Sequence, residues 1–175
     1  LAFLSDRAGA PQVFLVPAGG GLPQQLTFHS EGYDLEEWSP DGGALLVSAR
    51  RDHFWRHAER FFLIPPQPRP RERLLFDAYG HHGRLSPDGK HLLFAREGVA
   101  WWRKGYQGSQ DSQIWEYAIA EGRFIERCRP PGGASAPLWH PDGQHFYYVG
   151  GQSGSFNLYR RHRQTGQEQQ LTRFQ

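Results

Sequence analysis

Two short stretches of this 175-residue chain gather the side chains best suited to recognition chemistry. The first is Arg50-Arg51-Asp52-His53-Phe54-Trp55-Arg56-His57, and the second is Trp101-Trp102-Arg103-Lys104-Gly105-Tyr106. Each sets guanidinium or ammonium groups beside large aromatic rings. Cations so placed hold carboxylates by charge-assisted hydrogen bonds, and the rings hold side chains by stacking. Arg50, Arg51, Trp55, Arg56, Trp101, Trp102, Arg103, Lys104 and Tyr106 are therefore the candidate contacts for a peptide or an unfolded polypeptide segment. A competing reading has the rings packing on neighbouring structure with the arginines solvated outside, and residue types alone do not separate the two.

Other chemistry is sought without success. A serine nucleophile elbow reads G-x-S-x-G; Gly151-Gln152-Ser153-Gly154-Ser155 lacks the last glycine and reads as a loop. His53 and His57 are four apart, as helix-borne zinc ligands can be, but Phe54-Trp55-Arg56 between them supplies no glutamate base. Two histidines are too few for a structural zinc site, and Cys128 is the lone cysteine, so it has neither a metal-binding nor a disulfide partner. His81-His82 read as polar residues leading into a strand. Ala18-Gly19-Gly20-Gly21 lacks the lysine of a phosphate loop and reads as a hairpin turn. No catalytic residue, cofactor ligand or metal ligand is assigned, and no cofactor is expected. Charge is nearly balanced, 20 basic against 18 acidic residues, which calls for neither nucleic acid nor an anionic membrane. No apolar run approaches the roughly 18 residues of a membrane span. There is no methionine, position 1 included, which predicts that the natural N-terminus is missing from this sequence or was processed away.

The scaffold holding the two stretches is a repeat. Ser39-Pro40-Asp41-Gly42, Ser86-Pro87-Asp88-Gly89 and His140-Pro141-Asp142-Gly143 are one turn written three times, with prolines 47 and then 54 residues apart. Proline presets φ, aspartate bonds nearby backbone, and glycine takes the positive φ that closes the hairpin. A blade of a β-propeller takes about 40–50 residues. After each turn comes a strand (Ala44–Ser48, His91–Ala95, His145–Val149), a variable loop, a second strand (Phe61–Ile64, Ile114–Tyr117, Asn157–Arg160) and a last short one such as Arg73–Phe76 or Gln170–Thr172. Leu1–Ser5, Val13–Val16 and Gln25–Thr27 fit the same frame without its first strand. Before each turn runs the strand that lines a propeller's channel: Leu35–Ser39, Gly83–Ser86 and Ala136–His140. Trp38 and Trp139, one residue ahead of their turns, are expected to pack between blades, with Leu85 in their place in the middle copy.

The expected fold is all-β, a partial β-propeller of about three and a half four-stranded antiparallel blades. Its parts are a partial blade over 1–31, a blade over 32–77, a blade with a long insertion over 78–130 and a blade over 131–175. Such a number cannot close a ring, since propellers have about 4–8 blades. Both recognition stretches are insertions after the same strand of their blades, which predicts that they emerge on one face, often the binding face of a propeller.

With the repeats in place, the residues resemble a named family. Ser5-Asp6-Arg7-Ala8-Gly9, Gln12 to Gly20, Gln25-Leu26-Thr27-Phe28-His29, Trp102 to Gly108 and Asn157-Leu158-Tyr159 are similar to the TolB-like repeats of the six-bladed N-terminal propeller of tricorn proteases. Gln107 stands where that pattern has arginine, and Gln113 of Gln113-Ile114-Trp115 where it has aspartate. The resemblance covers essentially the whole chain. It implies a non-catalytic propeller segment of a large, cytoplasmic, oligomeric serine peptidase that trims oligopeptides. The remaining blades, a seven-bladed propeller and a PDZ-containing catalytic region would complete the parent chain, with the propellers filtering and conducting peptides. Two alternatives stay open. One is a TolB-like periplasmic protein-interaction propeller. The other is the propeller of a prolyl-oligopeptidase-type hydrolase.

Overall fold

The computed structural model describes residues 1–53, 58–98 and 106–175, and among them the regular structure is entirely β. Fifteen strands form four antiparallel sheets. The first sheet has three strands, β1 (Ala2–Ser5), β2 (Gln12–Leu15) and β3 (Gln24–Gln25). The second has β4 (Asp34–Trp38), β5 (Leu45–Ala49), β6 (Arg60–Ile64) and β7 (Arg73–Leu74). The third has β8 (His81–Leu85), β9 (His91–Arg96), β10 (Gln113–Ala118) and β11 (Arg123–Cys128). The fourth has β12 (Ala134–Trp139), β13 (His145–Gly150), β14 (Asn157–His162) and β15 (Glu168–Gln170). Each sheet pairs its strands in chain order, as a propeller blade does, and the fold is an all-β partial propeller.

The chain divides into two compact units, Leu1–Tyr79 and Gly80–Gln175, each holding two sheets. In the first, Val13, Leu26, Tyr33, Leu45, Val47, Phe62 and Ile64 form the core between the sheets. In the second, Leu93, Ile114, Ala134, Trp139, Phe146, Tyr148 and Tyr159 do so. Aromatic and β-branched residues suit a pleated surface buried against a second sheet, so the aromatic-rich composition becomes packing.

The repeated turn is hydrogen-bonded as its residues dictate. Gly42, Gly89 and Gly143 carry φ of 70°, 69° and 65°. The Ser39 hydroxyl donates to Asp41 at 2.6 Å while accepting from the Ala44 N–H at 2.9 Å, and Ser86 repeats this with Asp88 and the His91 N–H. In the third copy His140 replaces serine, and Asp142 instead accepts from the backbone of Gln144 and His145. A second recurring device ends the short last strands. Thr27 accepts from the Val13 N–H at 2.9 Å and donates to Gln12, and Thr172 does the same with the Leu158 N–H and Asn157. These bonds continue the ladder beyond β3 and β15, which is why the similar Gln-Leu-Thr segments at Gln25 and Gln170 recur.

The inner strands depart from the simple frame. Each of β4, β8 and β12 carries one residue more than its partner strand across a short stretch, a β-bulge. In β8 and β12 the bulge holds a non-glycine residue at positive φ, His82 at 53° and Ala136 at 49°. The added residue lets these strands begin at His81 and Ala134, ahead of the Gly83 and Ala136 expected from the turn spacing.

Trp139 is 7% exposed, and its indole N–H donates to the Arg84 carbonyl of β8 at 3.0 Å, locking the fourth sheet to the third. Leu85 is equally buried. Trp38 does not follow: it is 39% exposed. The carbonyl that receives the Trp139 indole lies on the inner strand of the preceding sheet, and the sheet preceding Trp38, β1–β2–β3, has no strand in that place.

Candidate functional site

Both recognition stretches leave the ends of second strands, β5 and β9. Trp55, Arg56, Trp101, Trp102, Arg103 and Lys104 lie outside the described residues, as does His57. Arg50 reaches solvent, with its guanidinium on Glu59 at 2.7 Å. Arg51 turns inward. It donates to the Tyr33 hydroxyl at 2.6 Å and to the Glu72 carboxylate, and lies over the Phe62 ring 4.6 Å from its centroid. Tyr33 donates onward to Glu72 at 2.6 Å. Burial first, then that bond to a carboxylate, raises the Tyr33 phenol far above its usual value. Arg51 therefore joins β5 to the loop before β7 through a closed set of charge-assisted bonds. His53 stands edge-on to Tyr79 at 6.0 Å.

Tyr106, the third described candidate, has different surroundings. It lines a cavity of about 350 Å³ in the second unit, at the heads of β8, β10 and β12. His81, His82, Asp111, Ser112 and Phe156 share the lining. His81 Nε2 lies 2.8 Å from the Glu97 carbonyl, which only accepts, so Nε2 is the donor. Its Nδ1 lies 3.1 Å from His82 Nδ1. The bulge is what brings the two rings together, through the positive φ of His82. The Ser112 hydroxyl donates to the Ala134 carbonyl at 2.6 Å. Asp111 accepts from the Gly108 N–H through Oδ2 at 3.1 Å, whereas its Oδ1 is buried with no hydrogen-bond partner among the described residues. Gly132 allows the close approach that shapes the wall: a Cβ there would sit 2.9 Å from the Gly151 carbonyl oxygen.

Sequence reasoning placed His81-His82 on a loop and passed over Asp111 and Ser112. The small residues Gly132, Gly133, Ala134 and Ser135 form part of the cavity wall. The Gly151–Ser155 segment is the turn between β13 and β14, closed by Gly154 N–H on the Gly151 carbonyl at 3.0 Å. Cys128 is buried in the core, and burial pushes its thiol up to about 12, away from nucleophile chemistry. Among the described residues no three His, Cys, Asp or Glu side chains gather as a metal site would require. Nor is any helix long and apolar enough to cross a membrane.

The strongest electrostatic feature lies away from the cavity. Glu116 of β10 has no exposed surface, yet it accepts from Arg127 of β11 at 2.6 Å and from Arg163 at 2.7 and 3.0 Å, with His91 at 3.0 Å. Burial works to raise its carboxyl, but the bonds and charges of Arg127 and Arg163 outweigh that and hold it below the usual carboxylate range. Arg163 sits between β14 and β15 and also covers the Trp139 ring at 5.5 Å, so the cluster fastens the fourth sheet to the third.

Four chain-ordered antiparallel sheets with bulged inner strands and long second-strand insertions define a propeller segment. The chain belongs to the family described as the tricorn protease N-terminal beta propeller domain, whose model matches residues 1–175. It is 30% identical over 152 residues to tricorn protease homolog 1 of Streptomyces coelicolor, a match covering 81% of this chain and 13% of that protein. The crystal structure of the tricorn protease superposes with a TM-score of 0.73 at 17% identity, over 95% of this chain and 16% of the other. TolB from Acinetobacter baumannii gives 0.73 at 17% identity, over 98% of this chain and 41% of its own. These two likenesses show the fold, and the chain spans a small part of each tricorn relative.

Proposed function

We propose that this chain is a non-catalytic propeller segment of a cytoplasmic, tricorn-like serine peptidase that degrades oligopeptides. Its role would be to admit and orient peptides and to help assemble the oligomeric parent. The observation that carries the reading is the family match over the full 175 residues. One further feature supports it. The two insertions, from Arg50 to His57 and from Trp101 to Tyr106, mix cations and rings suited to polypeptide.

The test compares the parent with the isolated segment on fluorogenic oligopeptides. The parent should cleave them and the segment should not. Turnover by the pure segment would sink the assignment, as would an inert parent lacking a serine peptidase region. Replacing Trp101, Trp102, Arg103 and Lys104 together by alanine and serine should lower the parent's kcat/KM for peptides about tenfold or more, and leave the burst with a small activated ester unchanged. Equal loss on both substrates would place the segment's role in folding alone.

A further inference from the structure

The cavity at the heads of β8, β10 and β12 combines polar and apolar lining residues, and Asp111 is its one carboxylate. We infer that it binds a cationic amine carried on an apolar group. Asp111 supplies the anion: Oδ2 is held by the Gly108 N–H, and Oδ1 is buried with nothing donating to it among the described residues. A carboxylate oxygen in that position is costly until a donor reaches it, and an ammonium brings both the donor and the opposite charge. Tyr106, Val149 and Phe156 provide the apolar side. At about 350 Å³ the cavity lies at the small end of ligand-sized pockets, about 300–1,000 Å³, which suits one residue of a chain.

The surrounding charges agree. Arg129 is the cation whose field runs with Asp111, but its guanidinium is bonded to Glu126 at 2.7 and 3.2 Å. His81 and His82 are tied to each other at 3.1 Å, and His81 to the Glu97 carbonyl at 2.8 Å. Glu97 is paired with Arg96 at 3.7 Å, so those two charges offset each other. An anionic ligand would meet the Asp111 carboxylate and gain nothing from it.

An amine of this kind is either the N-terminus of a peptide or a basic side chain. That it belongs to a peptide rests on the function proposed above; that the cavity selects a cation does not. Calorimetric titration of the intact protein with L-phenylalaninamide, N-acetyl-L-phenylalaninamide and Nα-acetyl-L-lysinamide separates the cases. At least one of the two amines should bind about tenfold or more tightly than N-acetyl-L-phenylalaninamide, and Asp111→Asn should abolish the difference while leaving the melting temperature within a few degrees. Stronger binding of phenylalaninamide assigns the site to an N-terminus, and stronger binding of the lysine derivative assigns it to a side chain. Equal affinity for all three, no binding up to millimolar concentration, or full selectivity retained in Asp111→Asn overturns the inference. Should Asp111→Asn fail to fold, the comparison of amine with acetylated amide on the unaltered protein decides. Asp111-dependent amine binding by a parent that cleaves no peptide would remove the peptidase reading and leave the cation site standing.

Discussion

Glu116 and Arg51 show how a charged side chain becomes structural. Each is held by partners from distant parts of the chain, and removing one member leaves the others buried and uncompensated. Glu116→Gln should cost about 3 kcal/mol in denaturant unfolding, because Arg127 and Arg163 lose their counter-charge. The sign of its pH dependence follows from the lowered carboxyl. Its contribution is complete above the unfolded value near 4.3 and is lost as pH falls through the lower folded value. Acid titration followed by tryptophan fluorescence should therefore show a transition below about pH 4.3 that is blunted in Glu116→Gln. A variant with the same acid midpoint and stability as the unaltered chain would show the cluster to be dispensable. The two adjacent arginines should also separate. Arg50→Ala removes a solvent-exposed pair and should cost under about 1 kcal/mol. Arg51→Ala strands Glu72 and Tyr33 and should cost about 2 kcal/mol. Equal losses, read from urea midpoints, would contradict the network.

At the scale of elements, the tryptophans ahead of the turns are a pair with different fates. Trp139→Phe deletes an indole bond to β8 and a cation–π contact with Arg163, so it should lower stability by about 1–2 kcal/mol. Trp38→Phe, on a half-exposed ring, should stay within about 0.5 kcal/mol. Thermal melts of the two single variants check this, and a reversed order would mean that the second sheet leans on Trp38 in a way the packing does not show. The bulges of β8 and β12 matter for a different reason. They add a residue, re-aim the strand heads and place His82 against His81, so the cavity is built by an irregularity of the inner strands.

For the molecule as a whole, each of the two units has its own core, and the exposed Leu1, Leu22, Phe28, Leu138 and Phe174 leave apolar surface uncovered in this chain. Uncovered apolar surface and free strand edges favour association. The isolated segment should therefore sediment with concentration-dependent mass above about 10 μM, whereas the same residues within the parent should not cause it. An isolated segment that stays strictly monomeric at every concentration would show these faces to be inert.

The sequence by itself determined the repeat. Three Pro-Asp-Gly turns impose local backbone angles that few other residues adopt, so strand positions followed to within a residue or two, and with them the all-β propeller architecture and the family. Local rules of this kind are written in consecutive residues. Tertiary structure alone decided what the charged and polar side chains do. Arg51 looked like a surface contact and is an internal tie, because Glu72 and Tyr33 are brought to it from 21 and 18 positions away. Glu116 had no signal, since its partner Arg163 is 47 residues on. His81, Asp111 and Ala134 meet in one cavity only once β8, β10 and β12 converge, and a bulge that leaves no mark on hydrophobic alternation sets the angle at which they do. Turn chemistry is local and legible. Charge pairing and cavity formation depend on which strands come to lie side by side, and in this chain the pairing partners lie as many as 47 residues apart.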